Sequence, residues 1–368
     1  MRRVLALVAL SAAFAQLAAA QKMVGGPFVV NVSARNATVV WVVEDRQLTL
    51  QGPDGAARTS PTLRTEKTTL TGLEPNKRYE YSVPGQDGSA ATKGSFKTPP
   101  AGAGSYSFVV YGDTRTRHDV HRGVMAELLK HGVPDFVLHT GDMVADGNDT
   151  SLWPIFFDIE KDLLRQTAFF PSLGNHERNT HYFGDLFQAD APYYSFNWGN
   201  AHFAVLNSDI ANAATSQRTK DAFWGEQTRW LEDDLAAHQN SAYRFVVAHH
   251  PPFTAVFRRQ GANAEMTALV PLFEKYHVSA GFFGHDHNYQ HYLKNGIHYV
   301  ITGGGGAPLY DVGQPPADIT QKVVSVENFV SVRMDGKSMH VQAIAIDGRT
   351  LDEFEIGGSK PIGRPGDF

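Results

Sequence analysis

Ser107-Phe108-Val109-Val110-Tyr111-Gly112-Asp113-Thr114-Arg115 is a short apolar run that ends abruptly in a polar block. The arrangement recurs four times. Residues 136–138 lead to Gly141-Asp142-Met143-Val144, and residues 169–173 lead to Gly174-Asn175-His176-Glu177. Residues 245–248 lead to His249-His250-Pro251-Pro252, and residues 280–283 lead to Gly284-His285-Asp286-His287. Short runs rich in Val and Phe read as strands buried on both faces. In an open α/β sheet, blocks that follow their strands collect at the carboxyl edge, where ligands bind.

Working outward, residues 117–131, 153–166, 222–239 and 264–277 carry helix-like apolar spacing. Strands alternating with helices imply parallel pairing. Residues 194–198, 202–206, 297–301, 329–333 and 338–344 read as further strands with hairpins. Residues 101–348 are therefore expected to form an α/β (α+β) double-sheet sandwich of four layers.

Residues 21–100 have a different character. Candidate strands at 28–32, 38–43, 47–51, 68–70, 79–83 and 94–97 are separated by turn-forming Pro53-Asp54-Gly55, Glu74-Pro75-Asn76 and Gln86-Asp87-Gly88. That spacing predicts an all-β sandwich, and Thr98-Pro99-Pro100-Ala101-Gly102-Ala103-Gly104 reads as its linker. Thr71-Gly72-Leu73-Glu74-Pro75-Asn76-Lys77-Arg78-Tyr79-Glu80-Tyr81 resembles the fibronectin type III pattern, which gives the aromatics a packing role.

Composition narrows the function classes. At 368 residues and 42% hydrophobic, the chain can bury more than one core. Met1-Arg2-Arg3 followed by an apolar stretch ending Ala18-Ala19-Ala20 reads as a signal peptide over 1–20, with a secreted or periplasmic product. The absence of cysteine excludes disulfides and thiolate metal sites. A net charge of −5 without a Lys/Arg block argues against nucleic acid as a stable partner. No second long apolar stretch suggests a membrane partner after cleavage, and oligomeric state carries no sequence signal. Residues 349–368, ending in Gly and Pro, read as a C-terminal tail.

The blocks supply carboxylate and amide oxygens and imidazole nitrogens, donors suited to two divalent or trivalent metal ions. Asp142 is best placed to bridge them. Asp113 and His287 would complete one shell, and Asn175, His249 and His285 the other.

In their order, these blocks resemble the calcineurin-like metallophosphoesterase superfamily, and within it the purple-acid-phosphatase-like branch, which also carries an N-terminal fibronectin-like domain. The resemblance covers about residues 25–348. It extends to Ile301-Thr302-Gly303-Gly304-Gly305-Gly306-Ala307-Pro308. It implies the same ligand sets, with His249 rather than His250 matching the His-x-Pro pattern. It also implies His176 as the group that contacts the phosphoryl or protonates the leaving oxygen. The implied activity is hydrolysis of small-molecule phosphate monoesters by a metal-bridging hydroxide.

Two positions depart from the pattern. Arg115 stands where the wider superfamily has His, and Ala145 where the purple branch has Tyr. Without the phenolate, Zn, Mn or ferrous iron is expected rather than a purple ferric centre. His118 or His121 would be the substitutes at hand. Arg115 itself reads either as a bidentate phosphate grip or as a salt-bridge partner of Asp119 or Asp146. Arg258-Arg259, after the His249 block, stand where a phosphate contact or a solvated charge pair is expected. The competing functions are a phosphodiesterase of the same fold and a binding protein that has lost catalysis.

Overall fold

The computed structural model describes residues 22–51, 55, 57–85, 90–261 and 263–358. The expected signal segment (1–20), the end of the expected tail (359–368) and parts of two expected turns lie outside the described residues.

Up to residue 100 the described chain forms strands only. They are β1 (Lys22–Val30), β2 (Asn36–Gln51), β3 (Ala57–Thr71), β4 (Arg78–Val83) and β5 (Thr92–Lys97). The break expected between 43 and 47 is a register shift between Glu44 and Arg46 within one long strand. β4 and β5 pair antiparallel, and Tyr79 stacks on Phe96 at 5.7 Å, which gives the late-strand tyrosine its packing role.

The chain then runs β6 (Tyr106–Tyr111), α1 (His118–Lys130), β7 (Phe136–His139), α2 (Trp153–Leu164), β8 (Ala168–Pro171), α3 (His181–Phe187), β9 (Tyr194–Trp198) and β10 (Ala201–Val205). It continues with α4 (Ile210–Ala213), α5 (Gln217–Ala237), β11 (Tyr243–Ala248), α6 (Ala264–Ala268), α7 (Val270–Lys275) and β12 (Ala280–Phe283). β13 (Tyr289–Lys294), β14 (Ile297–Thr302), β15 (Thr320–Val324), β16 (Asn328–Met334), β17 (Met339–Ala345) and β18 (Thr350–Ile356) complete it. The helix expected over 264–277 is broken into α6 and α7. Pro271 has no N–H to give and fits only a first turn.

Two sheets stack face to face. One has nine strands in the order β18-β17-β16-β6-β7-β8-β1-β2-β3, the other seven in the order β15-β13-β14-β12-β11-β10-β9. β6, β7 and β8 run parallel, as do β10, β11, β12 and β14. Phe108 and Phe136 of the first sheet meet Phe203, Phe282 and Trp198 of the second, Phe136 and Trp198 at 4.4 Å. Helices α1 and α2 cover the outer face of the first sheet, and α5 to α7 that of the second. This is the four-layer sandwich expected.

The N-terminal strands form the expected β layers, with β4 and β5 as their own two-stranded sheet, and β1 to β3 are also continuous with the larger sheet. β1 joins β8 in parallel at Val29–Ala168, so β1 to β3 extend the nine-stranded sheet. The cause lies in their two apolar faces. Val29 and Val39 pack into the core between the sheets, while Phe28, Val30, Val40 and Val42 pack under the helices, with Phe28 stacked on Phe157 of α2 at 5.2 Å. A strand apolar on both sides needs cover on both sides.

The expected tail at 349–368 needs correction for its first part. β18 pairs antiparallel with β17 along the sheet edge and buries Ile356. The acids Asp352, Glu353 and Glu355 mask it in the sequence, and a register shift between Ala343 and Ile344 disturbs the alternation that would reveal it.

Candidate metal centre

All five blocks leave their strands at one edge of the sandwich, and the backbone turns sharply there. Asp113, Asp142 and His285 take positive φ (58°, 57° and 69°), a conformation that side chains other than Gly rarely adopt. The glycines before them answer mainly to space. A Cβ on Gly174 would meet the Asp142 amide and carboxylate, and one on Gly284 the Asp113 carboxylate.

Two clusters of donor atoms result. Asp113, Asp142 and His287 form the first, with ligand atoms within 4.8 Å of one another. His287 donates Nδ1–H to the Pro308 carbonyl (2.6 Å), so in the neutral ring Nε2 is a bare lone pair, and it faces Asp113 Oδ1 at 3.3 Å. Asp113 is fully buried and its Oδ1 has no hydrogen-bond donor, while Oδ2 accepts from the His285 amide at 2.8 Å. Burial pushes its carboxyl up; when the His287 and His249 rings carry protons, the His287 hydrogen bond, the two imidazolium charges and that amide outweigh burial and hold the group at about 2, whereas with neutral rings only the amide remains. Two facing lone pairs in a buried place need a proton or a metal ion between them, which makes this a candidate cation site.

The second cluster follows the same logic. His249 donates Nδ1–H to the Thr140 carbonyl (2.7 Å), which turns Nε2 toward Asn175 Oδ1 (3.1 Å), His285 Nδ1 (3.2 Å) and Asp142 Oδ1 (3.5 Å). His285 Nδ1 also lies 3.1 Å from Asn175 Oδ1. Imidazole nitrogens, an amide oxygen and a carboxylate converging on one point match a borderline divalent ion such as Zn²⁺, Mn²⁺ or Fe²⁺. Backbone carbonyls set the tautomer of His249 and His287, two of the three metal-facing histidines, the orientation such ligands need. Asp142 is the only side chain that faces both clusters among the described residues.

His250 falls between roles. It lies in the second cluster by distance, yet its Nδ1 is engaged with Ser208 Oγ at 2.9 Å and its ring packs on His285 at 4.1 Å. A third cluster, His202, Asp234 and His238, lies away from this edge. Its imidazoles are stacked nearly parallel at 3.7 Å, so their lone pairs point side by side rather than at a common ion.

His176 is part-exposed. It donates Nδ1–H to the Ala145 carbonyl (2.7 Å), and its Nε2 stands 4.0 Å from Asp142 Oδ2. Where a tyrosine was sought at 145, the backbone thus aims the neighbouring histidine. Arg115 lies over the first cluster with Nε 3.3 Å from Asp142 Oδ2. Asp146 pairs instead with Arg178. Neither substitute histidine reaches the cluster. His121 is buried against Glu160 at 2.7 Å, and Glu160 also accepts from the Tyr111 hydroxyl. His121→Ala is expected to cost about 3 kcal/mol by leaving the buried Glu160 carboxyl with the Tyr111 hydroxyl as its remaining partner, with metal content unchanged. Urea unfolding and elemental analysis check both halves.

The sequence reading did not find what Glu177 does. Its buried carboxylate accepts from the amides of Asp142, Met143 and Gly174, each at 2.8 Å, and so ties the second block to the third. Burial and the Asp142 charge push its carboxyl up to about 7, against the pull of those amides. In sequence Glu177 reads as fixing His176 or as capping a loop; its acceptance from the Gly174 amide is the loop-capping half of that reading. His139 is a buried core histidine whose pKa burial pushes down to about 3. Asp286 and Arg259 pair at 3.1 Å behind His285, while Arg258 lies over the Tyr310 ring, which stacks on His287 at 4.0 Å.

A double-sheet sandwich that presents this paired donor set at one edge has the architecture expected of a metallophosphoesterase. The chain belongs to the calcineurin-like phosphoesterase family, which it matches over residues 106–289. It is 26% identical to human tartrate-resistant acid phosphatase type 5 over 260 residues, covering 59% of this chain and 77% of that one. It is 22% identical to mouse acid phosphatase type 7 over 343 residues, covering 79% and 76%. An uncharacterized Mycobacterium tuberculosis protein is 24% identical over 274 residues, or 64% of this chain, which spans only about half (52%) of that relative. In fold, the chain resembles the purple acid phosphatase PPD1 of yellow lupin seeds, with a TM-score of 0.70 at 18% identity, covering 90% and 74%. It also resembles PhoD, with a TM-score of 0.64 at 12% identity, covering 94% and 95%.

Proposed function

We propose that the chain hydrolyses phosphate monoesters of small molecules. The observation that carries this reading is the position of Asp142 between two converging donor clusters, with His176 Nε2 beside it. Divalent ions held there would lower the pKa of water and draw charge from a phosphoryl oxygen. Asp113, Asp142 and His287 would hold one ion, and Asp142, Asn175, His249 and His285 the other. His176, aimed by the Ala145 carbonyl and open to solvent on its far edge, would contact the phosphoryl group and protonate the leaving oxygen. Arg115, a cation paired with Asp142 beside the first cluster, would neutralise the phosphate.

The test compares a chromogenic monoester with its bis-ester. A clear monoester preference is expected, and a strong diester preference would replace this reading with a phosphodiesterase. His176→Ala is expected to lower kcat about a hundredfold, the usual range for a lost proton donor, without loss of metal. An unchanged kcat would remove His176 from the mechanism.

A further inference from the structure

The two clusters are not equal. The second gathers four protein donors around one point, Asn175, His249, His285 and Asp142. The first has three, Asp113, Asp142 and His287, and the Arg115 guanidinium is laid against two of them. Its Nε points to Asp142 Oδ2 at 3.3 Å, and its Nη2 stands 3.5 Å from His287 Nε2, the nitrogen whose lone pair is free because Nδ1–H is given to Pro308. The Arg115 amide also donates to the Asp142 carbonyl at 3.3 Å, which ties its backbone to the block it covers. The side chain is only 13% exposed, so water screens it little.

We propose that Arg115 makes the centre asymmetric: the second cluster keeps its metal ion, and the first takes one up weakly and exchanges it. The inference rests on the reading of these residues as a metal centre. Two effects act in the same direction. The guanidinium competes as a hydrogen-bond donor for the lone pairs of Asp142 and His287 that an ion would use. Its charge also repels a dication brought within contact distance. With one ion bound, Arg115 supplies the remaining positive charge beside Asp142. A second ion enters only if the guanidinium swings toward the solvent side, where the phosphate would lie.

The test uses Zn²⁺ alone. Protein stripped with chelator is titrated calorimetrically, and separately loaded with excess Zn²⁺, passed through a desalting column and analysed for metal. One ion per chain is expected to remain, with the second bound at least about tenfold more weakly. Arg115→Ala and Arg115→Gln, each checked for an unchanged melting temperature, are expected to tighten the second ion about tenfold or more and bring retention to two. His287→Ala should keep the retained ion and His249→Ala should lose it. Two equal sites in the native chain, or no tightening in either Arg115 variant, would overturn the inference while leaving the metal centre standing. Failure to bind Zn²⁺ at any concentration would overturn both.

Discussion

Asp142→Asn is expected to lower turnover of a phosphate monoester by about a thousandfold or more, within the range seen when the charge that organises a reacting centre is removed. Asparagine has nearly the same shape, and its Oδ1 still accepts the His176 amide that Asp142 Oδ1 now accepts at 2.9 Å. The loops should therefore stay in place. What disappears is the one negative charge that both clusters share, along with the ion pair to Arg115. Kinetics, metal analysis and a urea melt on the same preparation check this. The predicted pattern is lost turnover and lost metal with little change in the unfolding midpoint. A variant within tenfold of the native rate would mean that Asp142 does not join the two clusters chemically.

The second large effect is on stability. Glu177→Ala would leave the amides of Asp142, Met143 and Gly174 buried without an acceptor. At about 1–3 kcal/mol for each orphaned donor, partly recovered by water entering the gap, the net cost should be about 3 kcal/mol. Glu177→Gln should lie between the native chain and Ala, because a side-chain amide keeps one acceptor oxygen but brings N–H groups that face other N–H groups. Activity should fall with stability, since the Glu177 carboxylate holds the backbone that carries Asp142 at positive φ. A Glu177→Ala midpoint equal to the native one would show that the tie between the blocks contributes nothing.

These two residues also mark how far the sequence could be read. Asp142 was legible because a carboxylate after Gly at a strand end has few structural uses, and four other polar blocks stood in the same position. The order of those blocks carried the double-sheet sandwich as well, and the structure brings Asp113, Asp142, Asn175, His249, His285 and His287 together. Glu177 was not legible in its role, because its partners are backbone amides, and a carboxylate that accepts from amides looks in sequence like any loop acid. The same holds for the carbonyls of Thr140, Pro308 and Ala145, which orient His249, His287 and His176. Arg115 left two alternatives in the sequence, and its pairing with Asp142 depends on a loop geometry that spacing does not encode. The membership of β1 to β3 in the larger sheet was hidden for another reason. Their valines alternate between two cores, and a strand with two apolar faces looks the same in any sheet.

The central claim is that these loops form a metal centre that hydrolyses phosphate esters. It is tested most directly by assaying a chromogenic phosphate monoester before and after exhaustive chelation, then after adding back Zn²⁺, Mn²⁺ or Fe²⁺, with metal content measured at each stage. The account predicts turnover that falls with the metal, returns with at least one of the three ions, and never returns in Asp142→Asn. Full turnover in protein shown to be free of metal would contradict it.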